Sequence, residues 1–343
     1  MINLEYFSLS YLGVCFLIFF LTLCGLILYK KAAYKMEILA LKNYRTLHTK
    51  PTPKGGGIVF SIVFILCIFF LWHLNYLSNS LLCVLGFGGL IATSLGFLDD
   101  KFDINAKKKL VVEIFLCGFA LYYLDGGPLQ NISQIPSFVS TLLSMFFLVW
   151  IINAYNFMDG IDGMAASGAI FSCLIIVITM GILNTFTVTT ALLIFLSISV
   201  SAFLIFNWPP AKIFMGDSGS IFLGYIFAVL IMYTTMNNEV SFTTWVIVFA
   251  YFISDTSVTL ISRFILKKKW NKPHRSHAYQ NIARIANSHV KVTILVVFYN
   301  FIWVFPLALW SIFDPTVSLF ATILSLTPSL FFSYKYGPFL SSN

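Results

Sequence analysis

The composition of this chain places it in a membrane. Of its 343 residues, 59% are hydrophobic and only 10% are charged, whereas roughly a quarter of the residues of an ordinary soluble domain are charged. So few charges exclude a soluble globule, a coiled coil, a disordered chain and a secreted disulfide scaffold. The six cysteines lie in apolar runs without metal-binding spacing, and we interpret them as small core residues.

Uncharged windows predict the transmembrane helices in chain order. A spanning helix needs about 20 apolar residues, and such windows lie at 6–29, 55–98, 126–158, 163–211, 218–238, 292–313 and 315–334. The second and fourth windows are long enough for two helices each. Their breaks are predicted near 75–80 and near Asn184.

Two further stretches are apolar enough to cross a membrane although each contains an acid. They are about 110–124, with Glu113, and about 241–264, with Asp255. Adding them gives about eleven transmembrane helices, so the predicted fold class is an all-α integral membrane protein. No internal repeat is visible, and 1–343 is predicted to form a single polytopic domain.

The positions of Lys and Arg predict the orientation, since positive residues stay on the cytoplasmic side. With eleven helices all 21 fall on one side, which puts the N-terminus outside and the C-terminus in the cytoplasm. The first apolar run lacks a cleavage motif and is predicted to be an uncleaved span. Topology and anionic lipid explain the net charge of +8, so we expect membrane lipid and no nucleic acid as partner. The predicted cytoplasmic loops are about 30–57, 98–110, 153–167, 207–220 and 263–291.

Acids at the cytoplasmic ends of the helices are the first functional candidates. Solvated counter-charges would explain Glu37 or Asp103 alone. Carboxylates directly beside apolar helices are costly unless they are paired or metal-bound. Five lie in such junctions: Asp99, Asp100, Asp159, Asp162 and Asp217.

The junction at 96–109 contains two adjacent carboxylates, Asp99 and Asp100, and ends in a run of three consecutive lysines at 107–109. A divalent cation or a nearby Lys would relieve the repulsion between the carboxylates. The alternative is an ordinary helix end with lysines that only mark the cytoplasmic side. This loop alone leaves both interpretations open.

The junction at 153–163 runs Asn-Ala-Tyr-Asn-Phe-Met-Asp-Gly-Ile-Asp-Gly. Asn153 and Asn156 share a helix face, which leads into the turns that contain Asp159 and Asp162. Oxygen ligands on one face suit a hard ion such as Mg2+. Amide contacts between helices, followed by simple turns, are the structural alternative.

The junction at 214–220 runs Phe-Met-Gly-Asp-Ser-Gly-Ser. Asp217 could be the N-cap of the next helix. The same sequence would present free backbone N–H groups to a phosphate, with the carboxylate left for a metal. Both interpretations stay open.

Two basic loops complete the cytoplasmic side. The Pro-Thr-Pro-Lys-Gly-Gly-Gly turn at 51–57 places Lys54 beside glycines that allow a ligand to approach closely, or it simply enters a helix. The loop at 273–280 gathers His274, Arg275 and His277, which suit a phosphate or diphosphate. No Cys or third nearby His completes a zinc site. The remaining histidines are interpreted as background residues: His48, His73 and His289.

Together these loops can bring carboxylates, amides and cations to one cytoplasmic site, which favours phosphoryl-type transfer. A site open to cytosol and bilayer could join a soluble phosphorylated donor to a lipid acceptor. A secondary transporter is the main alternative, but it predicts acids near mid-membrane, where only Asp255 is expected. A non-enzymatic scaffold or lipid-binding subunit would not need the paired acids. These residues fit glycosyl hydrolysis less well, because nothing in the sequence marks an exposed pair of carboxylates around a sugar cleft.

Four ordered motifs resemble those of the polyprenyl-phosphate N-acetylhexosamine-1-phosphate transferases. They are Pro-Thr-Pro-Lys-Gly-Gly-Gly, Gly-Phe-Leu-Asp-Asp, Asn-x-x-Asn-x-x-Asp-Gly-Ile-Asp-Gly and Met-Gly-Asp-Ser-Gly-Ser. The resemblance covers roughly 45–285. It implies transfer of a HexNAc-1-phosphate from a UDP-amino sugar to undecaprenyl phosphate, with release of UMP, at the bacterial cytoplasmic membrane with the active site facing the cytosol. Homodimers are a further expectation from the family.

The resemblance also implies roles for single residues. Asn156 and Asp217 match ligands of Mg2+, or of Mn2+ in its place. Asp99 and Asp100 match an essential acidic pair, with either a general-base or a metal-organising role. The acceptor phosphate, largely dianionic at neutral pH because its second pKa is ~6, can also attack in line without a base.

The donor-binding residues follow in the same way. Phe214 matches an aromatic residue that stacks on uracil, Asp159 and Asp162 match residues near the uridine and the metal, and Lys109 matches a phosphate-binding lysine. The predicted site is catalytic Asp99, Asp100, Asp217 and His277; substrate-binding Lys54, Lys109, Asn153, Asp159, Asp162, Phe214, His274 and Arg275; and metal-binding Asn156 and Asp217.

The loop at 274–277 indicates the branch of the family. The peptidoglycan branch, which acts on muramoyl-pentapeptide, has three consecutive histidines there, and this chain has His-Arg-Ser-His. The sequence is similar to the branch that initiates O-antigen units of lipopolysaccharide, some members of which accept 6-deoxy-HexNAc donors. The muramoyl-pentapeptide reaction remains an alternative.

Overall fold

The structure is a computed structural model that describes residues 9–40, 51–130, 136–267 and 276–339. In these ranges it is almost entirely helical, which confirms the predicted all-α class. The described sheet is a two-residue antiparallel ribbon of β1 (Leu39–Ala40) and β2 (Thr52–Pro53).

The helices follow one another with short connections. They are α1 (Leu9–Lys35), α2 (Gly57–His73), α3 (Asn79–Leu81), α4 (Gly89–Phe102), α5 (Ala106–Tyr123), α6 (Ser137–Phe157), α7 (Met164–Ile182), α8 (Val188–Asn207), α9 (Asp217–Met236), α10 (Phe242–Val248), α11 (Ala250–Ile265), α12 (Ala278–Ile285), α13 (His289–Tyr299), α14 (Phe305–Phe313) and α15 (Ser318–Tyr336). Three short helical segments of other types connect some of these helices: two π-helices, Leu82–Gly88 and Asn300–Val304, and one 3-10 helix, Pro315–Val317.

Every predicted transmembrane stretch contains a helix, but the helices differ in how well they suit a crossing. Among the described residues, eight are long and apolar enough by length and composition, and the pair α10 and α11, bent by 73°, would make a ninth. α2 is shorter, with 17 residues, and α5 carries three lysines and Glu113. The chain is a multi-pass membrane protein, while the count of eleven and the orientation stay predictions.

The two long windows break where the sequence predicts. α2 and α3 are separated by 74–78, and α7 and α8 by 183–187. Each break contains an asparagine in the left-handed region, Asn75 with φ 61° and Asn184 with φ 53°. Asparagine enters this region more readily than most residues do, so both breaks are encoded locally.

Helix α9 lies at the centre of the fold, where it packs against α2, α4 and α6 and is buried along most of its length. Two glycines allow close approach to its first turn. Gly96 of α4 lies against the backbone of Asp217, and Gly57 of α2 lies against Gly219. Because a Cβ at either glycine would overlap backbone atoms, this packing fixes the start of α9.

Most of the described site residues predicted from the sequence lie at the ends of elements that meet around this first turn. They are in the last turn of α4, the first turn of α5, the last turns of α6, the loops before α2, α7 and α9, and the first residue of α9. His277 lies instead at the start of α12. The loop after β2 is tied to α1, because the Tyr29 hydroxyl donates to the Lys54 carbonyl oxygen at 2.6 Å. The fold therefore gathers distant segments at one end of α9.

Candidate active site

A cavity of about 310 Å³ lies beside the first turn of α9. Six residues predicted from the sequence line it: Lys54, Asp100, Asp159, Asp162, Phe214 and Asp217. The cavity thus combines four carboxylates with a lysine and an aromatic ring. The structure brings these six side chains together, and the role of each stays a prediction.

Asp99 and Asp217 are joined by Lys109 at the edge of this cavity. The Lys109 ammonium lies 2.8 Å from Asp99 Oδ2 and 2.9 Å from Asp217 Oδ2. All three side chains are mostly buried. Since one cation contacts both carboxylates, the two acids are close enough to share a bound ion.

Asp100 has a different place from its neighbour, since it caps α9. Its Oδ1 accepts the backbone N–H of Asp217 and its Oδ2 accepts that of Ser218, both at 3.1 Å. The residue before the helix, Gly216, has φ 72° and no side chain to cap with. A carboxylate from α4 therefore satisfies two of the free N–H groups of this turn and fixes the direction of Asp217.

Replacing Asp100 by Ala should destabilise the protein through this cap. We expect the free energy of unfolding to fall by about 1–2 kcal/mol, the usual cost of losing an N-cap. Asp100→Asn, which keeps one acceptor oxygen, should lose less. Chemical denaturation in detergent checks this, and equal stability of wild type and Asp100→Ala would show that the cap is unimportant.

The two predicted metal ligands lie side by side. The Asn156 amide donates to Ser220 Oγ at 2.9 Å and is within hydrogen-bonding range of Asp217. Asp99, Asp217 and Asn156 together offer hard oxygen donors, which suit Mg2+ or Mn2+. In the described ranges no group of three His, Cys, Asp or Glu is arranged to hold a metal. Mg2+ is compatible with this, because it usually takes only one or two carboxylates, with water and substrate phosphates completing its shell.

Asp159 lies in the loop between α6 and α7, beside the other acids. Burial raises its pKa well above the usual value, and the charges of Asp217, Asp100 and Asp162 raise it further, while the Gly216 N–H opposes them. The Asp159 carboxyl therefore loses its proton less readily than an exposed carboxyl does. A cation bound in the cavity would favour its ionised form.

Metal binding should consequently release protons from this site. Adding Mg2+ to metal-free protein near neutral pH should lower the raised pKa of Asp159, so that protons leave as the ion binds. Titration calorimetry in two buffers of different ionisation enthalpy measures this release. The number of protons released should be smaller in Asp159→Asn than in wild type. Equal release in the two proteins would show that the protons come from another group.

Asp162 joins three segments at the opposite wall of the cavity. Its Oδ2 accepts the Ala211 N–H at 3.0 Å, its Oδ1 lies 3.2 Å from His289 Nδ1, and its carbonyl oxygen accepts the Thr293 hydroxyl at 2.9 Å. His289, interpreted from the sequence as a background residue, thus lies in the wall of the cavity beside Asp162. Its position at the start of a predicted helix, on the side of the acids, was the available clue.

Removing the His289 ring should weaken donor binding more than turnover. His289→Ala frees one wall of the cavity, so we expect KM for the donor to rise about 3- to 10-fold with little change in kcat. His73→Ala, at the exposed far end of α2, is the matched control. A fall in kcat at unchanged KM would contradict this assignment.

Helix α12 supplies cavity residues that were not predicted from the sequence. Gln280, Ala283 and Arg284 line the cavity, and their spacing of three and four residues puts them on one helix face. The basic loop predicted from the sequence ends at Gln280, and Arg284 lies one helical turn beyond it on the same face.

Other predicted residues do not line the cavity. His277 is 2% exposed, its Nδ1 lies 3.8 Å from Asp255 Oδ2, and its ring packs near Phe157 and Tyr279. The reason is local, since Asp255 also accepts the Ala278 N–H at 2.9 Å and draws the start of α12 inward. The sequence predicts His277 as a catalytic residue, whereas the structure places it outside the cavity lining. His274 and Arg275 lie outside the described residues.

Asn153 also lies apart from the cavity lining. Its amide donates to Glu113 Oε2 at 2.6 Å and to the Val149 carbonyl oxygen at 3.0 Å. Asn153 is therefore not among the residues that line the cavity, and its predicted substrate contact stays a prediction. Glu113 was noted in the sequence only as an acid within a span, and its partner could not be deduced.

Comparison with known proteins finds a matching family model and several relatives. The family model of glycosyl transferase family 4 matches residues 81–235. A probable undecaprenyl-phosphate N-acetylglucosaminyl 1-phosphate transferase of Bacillus subtilis is 27% identical over 78% of this chain and 76% of its own length. A decaprenyl-phosphate N-acetylglucosaminephosphotransferase of Mycobacterium leprae is 26% identical over 79% and 75%.

A third relative is more similar in sequence over a shorter stretch. A phospho-N-acetylmuramoyl-pentapeptide-transferase of Streptococcus pneumoniae is 31% identical over 71% of this chain and 78% of its own length. The matched family segment runs from the end of α3 through α9, and so contains Asp99, Lys109, Asn156 and Asp217. The chain belongs to glycosyl transferase family 4.

Proposed function

We propose that this protein transfers an N-acetylhexosamine-1-phosphate from a UDP-sugar to undecaprenyl phosphate. An acceptor phosphate oxygen forms a bond to the β-phosphorus of the donor. The bond between that phosphorus and the oxygen bridging to the α-phosphate breaks, and UMP leaves with the electron pair. The product is a lipid diphosphate sugar, and the acceptor dianion needs no base.

The observation that carries this proposal is the convergence of charges on one cavity. Carboxylates at 100, 159, 162 and 217 line it together with Lys54 and Phe214, and Lys109 contacts Asp217 at its edge. Cations and metal-binding acids are what transfer between two phosphate groups requires, because catalysis there is mostly positioning and charge neutralisation. The volume of about 310 Å³ is within the range of small-molecule sites.

The residues divide between the two substrates and the ion. Asn156 and Asp217 would hold Mg2+, or Mn2+, which supplies charge neutralisation when bound. Phe214 offers a ring to the uracil, and Lys54, Arg284 and Lys109 offer positive charge to the phosphates. Asp100 holds the first turn of α9 in place. Asp99 positions Lys109 by direct contact.

The proposed setting is the bacterial cytoplasmic membrane with the cavity facing the cytosol. The Lys and Arg distribution supports this orientation, and a UDP-sugar is a cytosolic donor. The loop at 274–277 and the relatives named for N-acetylglucosamine phosphate support a HexNAc donor, in the initiation of O-antigen or a related surface polysaccharide. A homodimer remains an expectation from the family.

A donor panel tests the proposal. Purified protein, undecaprenyl phosphate and Mg2+ are incubated with UDP-GlcNAc, UDP-GalNAc, a UDP-6-deoxy-HexNAc and UDP-MurNAc-pentapeptide, and UMP release is followed. We expect turnover with a HexNAc or 6-deoxy-HexNAc donor, abolished by EDTA and restored by Mg2+ or Mn2+. Turnover with the pentapeptide donor alone would favour the peptidoglycan reaction. No UMP and no UDP-sugar binding would return the transporter alternative to consideration.

A further inference from the structure

A buried carboxylate outside the cavity makes one strong contact between two helices. Glu113 of α5 is 3% exposed, and its Oε2 accepts the Asn153 amide of α6 at 2.6 Å. A carboxylate buried at this depth is costly unless hydrogen-bonded. An apolar residue would join α5 to α6 at lower cost, so the pair calls for a reason other than packing.

The position of the pair relative to the site supplies that reason. Glu113 lies four residues after Lys109 on α5, and Asn153 lies three residues before Asn156 on α6, so each shares a helix face with a site residue. Lys109 reaches Asp99 and Asp217, while Asn156 reaches Ser220. The hydrogen bond between Glu113 and Asn153 therefore lies one turn behind two contacts that meet at the start of α9.

We propose that Glu113 and Asn153 form a positioning contact, which sets the register of α5 against α6 so that Lys109 and Asn156 meet the first turn of α9 together. This inference rests on the proposed function. A directional hydrogen bond fixes both the sliding and the rotation of the two helices, whereas apolar packing tolerates small shifts. A displacement of about 1 Å at reacting groups can cost on the order of 100-fold in rate.

The test separates positioning from stability by removing one partner or both. Glu113→Leu leaves the Asn153 amide with only the Val149 carbonyl oxygen as acceptor and should lower both Tm and kcat, the latter by about 30-fold or more. Adding Asn153→Leu removes both polar groups, so Tm should recover. In that double variant kcat should stay low, because apolar side chains do not restore the register. Glu113→Gln, whose amide oxygen can still accept the hydrogen bond, should keep kcat within about three-fold of wild type.

A second readout does not depend on turnover. Mn2+ affinity, measured by electron paramagnetic resonance, should weaken about ten-fold in both Leu variants and stay near wild type in Glu113→Gln, because Asn156 moves with α6. Glu239→Leu is the matched control, since Glu239 is also buried but lies beyond the far end of α9, about 30 Å away. It should change Tm without changing kcat or Mn2+ affinity.

The outcomes are distinct for the two proposals. Recovery of kcat together with Tm in the double Leu variant would overturn the positioning role and leave packing alone. A loss of kcat in Glu113→Gln equal to that in Glu113→Leu would overturn it in favour of a charge effect. A wild-type protein with neither turnover nor Mn2+ binding would overturn the proposed function itself.

Discussion

Replacing Asp217 by Asn should lower kcat by at least about a thousand-fold, comparable to the loss of a principal electrostatic group in other active sites. Asp217 lines the cavity, contacts Lys109 at 2.9 Å and lies within reach of Asn156. The amide keeps the shape of the side chain but lacks the charge that attracts Mg2+. Donor binding through Phe214 should remain, so KM for the UDP-sugar should change far less than kcat.

Asp103→Asn is the matched control for this substitution. Asp103 is an exposed acid that follows α4 in the left-handed conformation, with φ 49°, which asparagine adopts as readily. The kcat of Asp103→Asn, measured by UMP release, should equal that of wild type. An Asp217→Asn variant that retains more than a tenth of wild-type kcat would remove Asp217 from the predicted metal site.

Replacing Lys109 by Met should have the second largest effect, with kcat/KM falling about 100- to 1000-fold. The ammonium holds Asp99 and Asp217 together, and the variant leaves two partly buried carboxylates without their cation. In EDTA the Tm of the variant should therefore drop. Mg2+ should raise its Tm more than that of wild type, because the ion then replaces the missing positive charge.

Lys107→Met and Lys108→Met are controls in the same turn. Both lysines are exposed, and their lysine-to-methionine changes remove the same charge at positions that do not contact the two acids. Activity and Mg2+-dependent Tm should be unchanged in both. If either control lost as much activity as Lys109→Met, the assignment of the phosphate-binding lysine to position 109 would be incorrect.

Much of the fold could be predicted because the helices and the breaks between them are determined by short stretches of sequence. Uncharged windows located the helices, and Asn75 and Asn184 allowed the left-handed turns at the two breaks. Hydropathy does not predict the bend of 73° between α10 and α11, since that depends on packing. The membrane orientation rests on the Lys and Arg distribution alone.

The site was predictable where acids were confined to Gly- and Asn-rich junctions. Spacing placed Asn153 and Asn156 on one face, but it could not tell that only Asn156 faces α9 while Asn153 faces Glu113. His277 was assigned to the site by its loop, and the buried Asp255 holds it elsewhere. His289 was missed because its partner, Asp162, is distant in sequence.

The structure also bears on the transporter alternative. A transporter would use acids near the middle of the membrane, and the candidate there is Asp255. Its Oδ1 accepts the N–H of Ala278 at 2.9 Å, which makes it a structural cap for α12. Four acids, Asp100, Asp159, Asp162 and Asp217, line one cavity, as expected of an enzyme that acts at one membrane face.

The most direct test of the central claim follows the β-phosphorus of the donor. UDP-GlcNAc, or the donor that the panel selects, carries a radioactive label at that atom and is incubated with the protein, Mg2+ and undecaprenyl phosphate. If HexNAc-1-phosphate is transferred, the label moves into the lipid fraction and the released nucleotide is unlabelled UMP. Label that remains in the aqueous phase as UDP, with sugar on the lipid, would show transfer of the sugar alone and contradict this account.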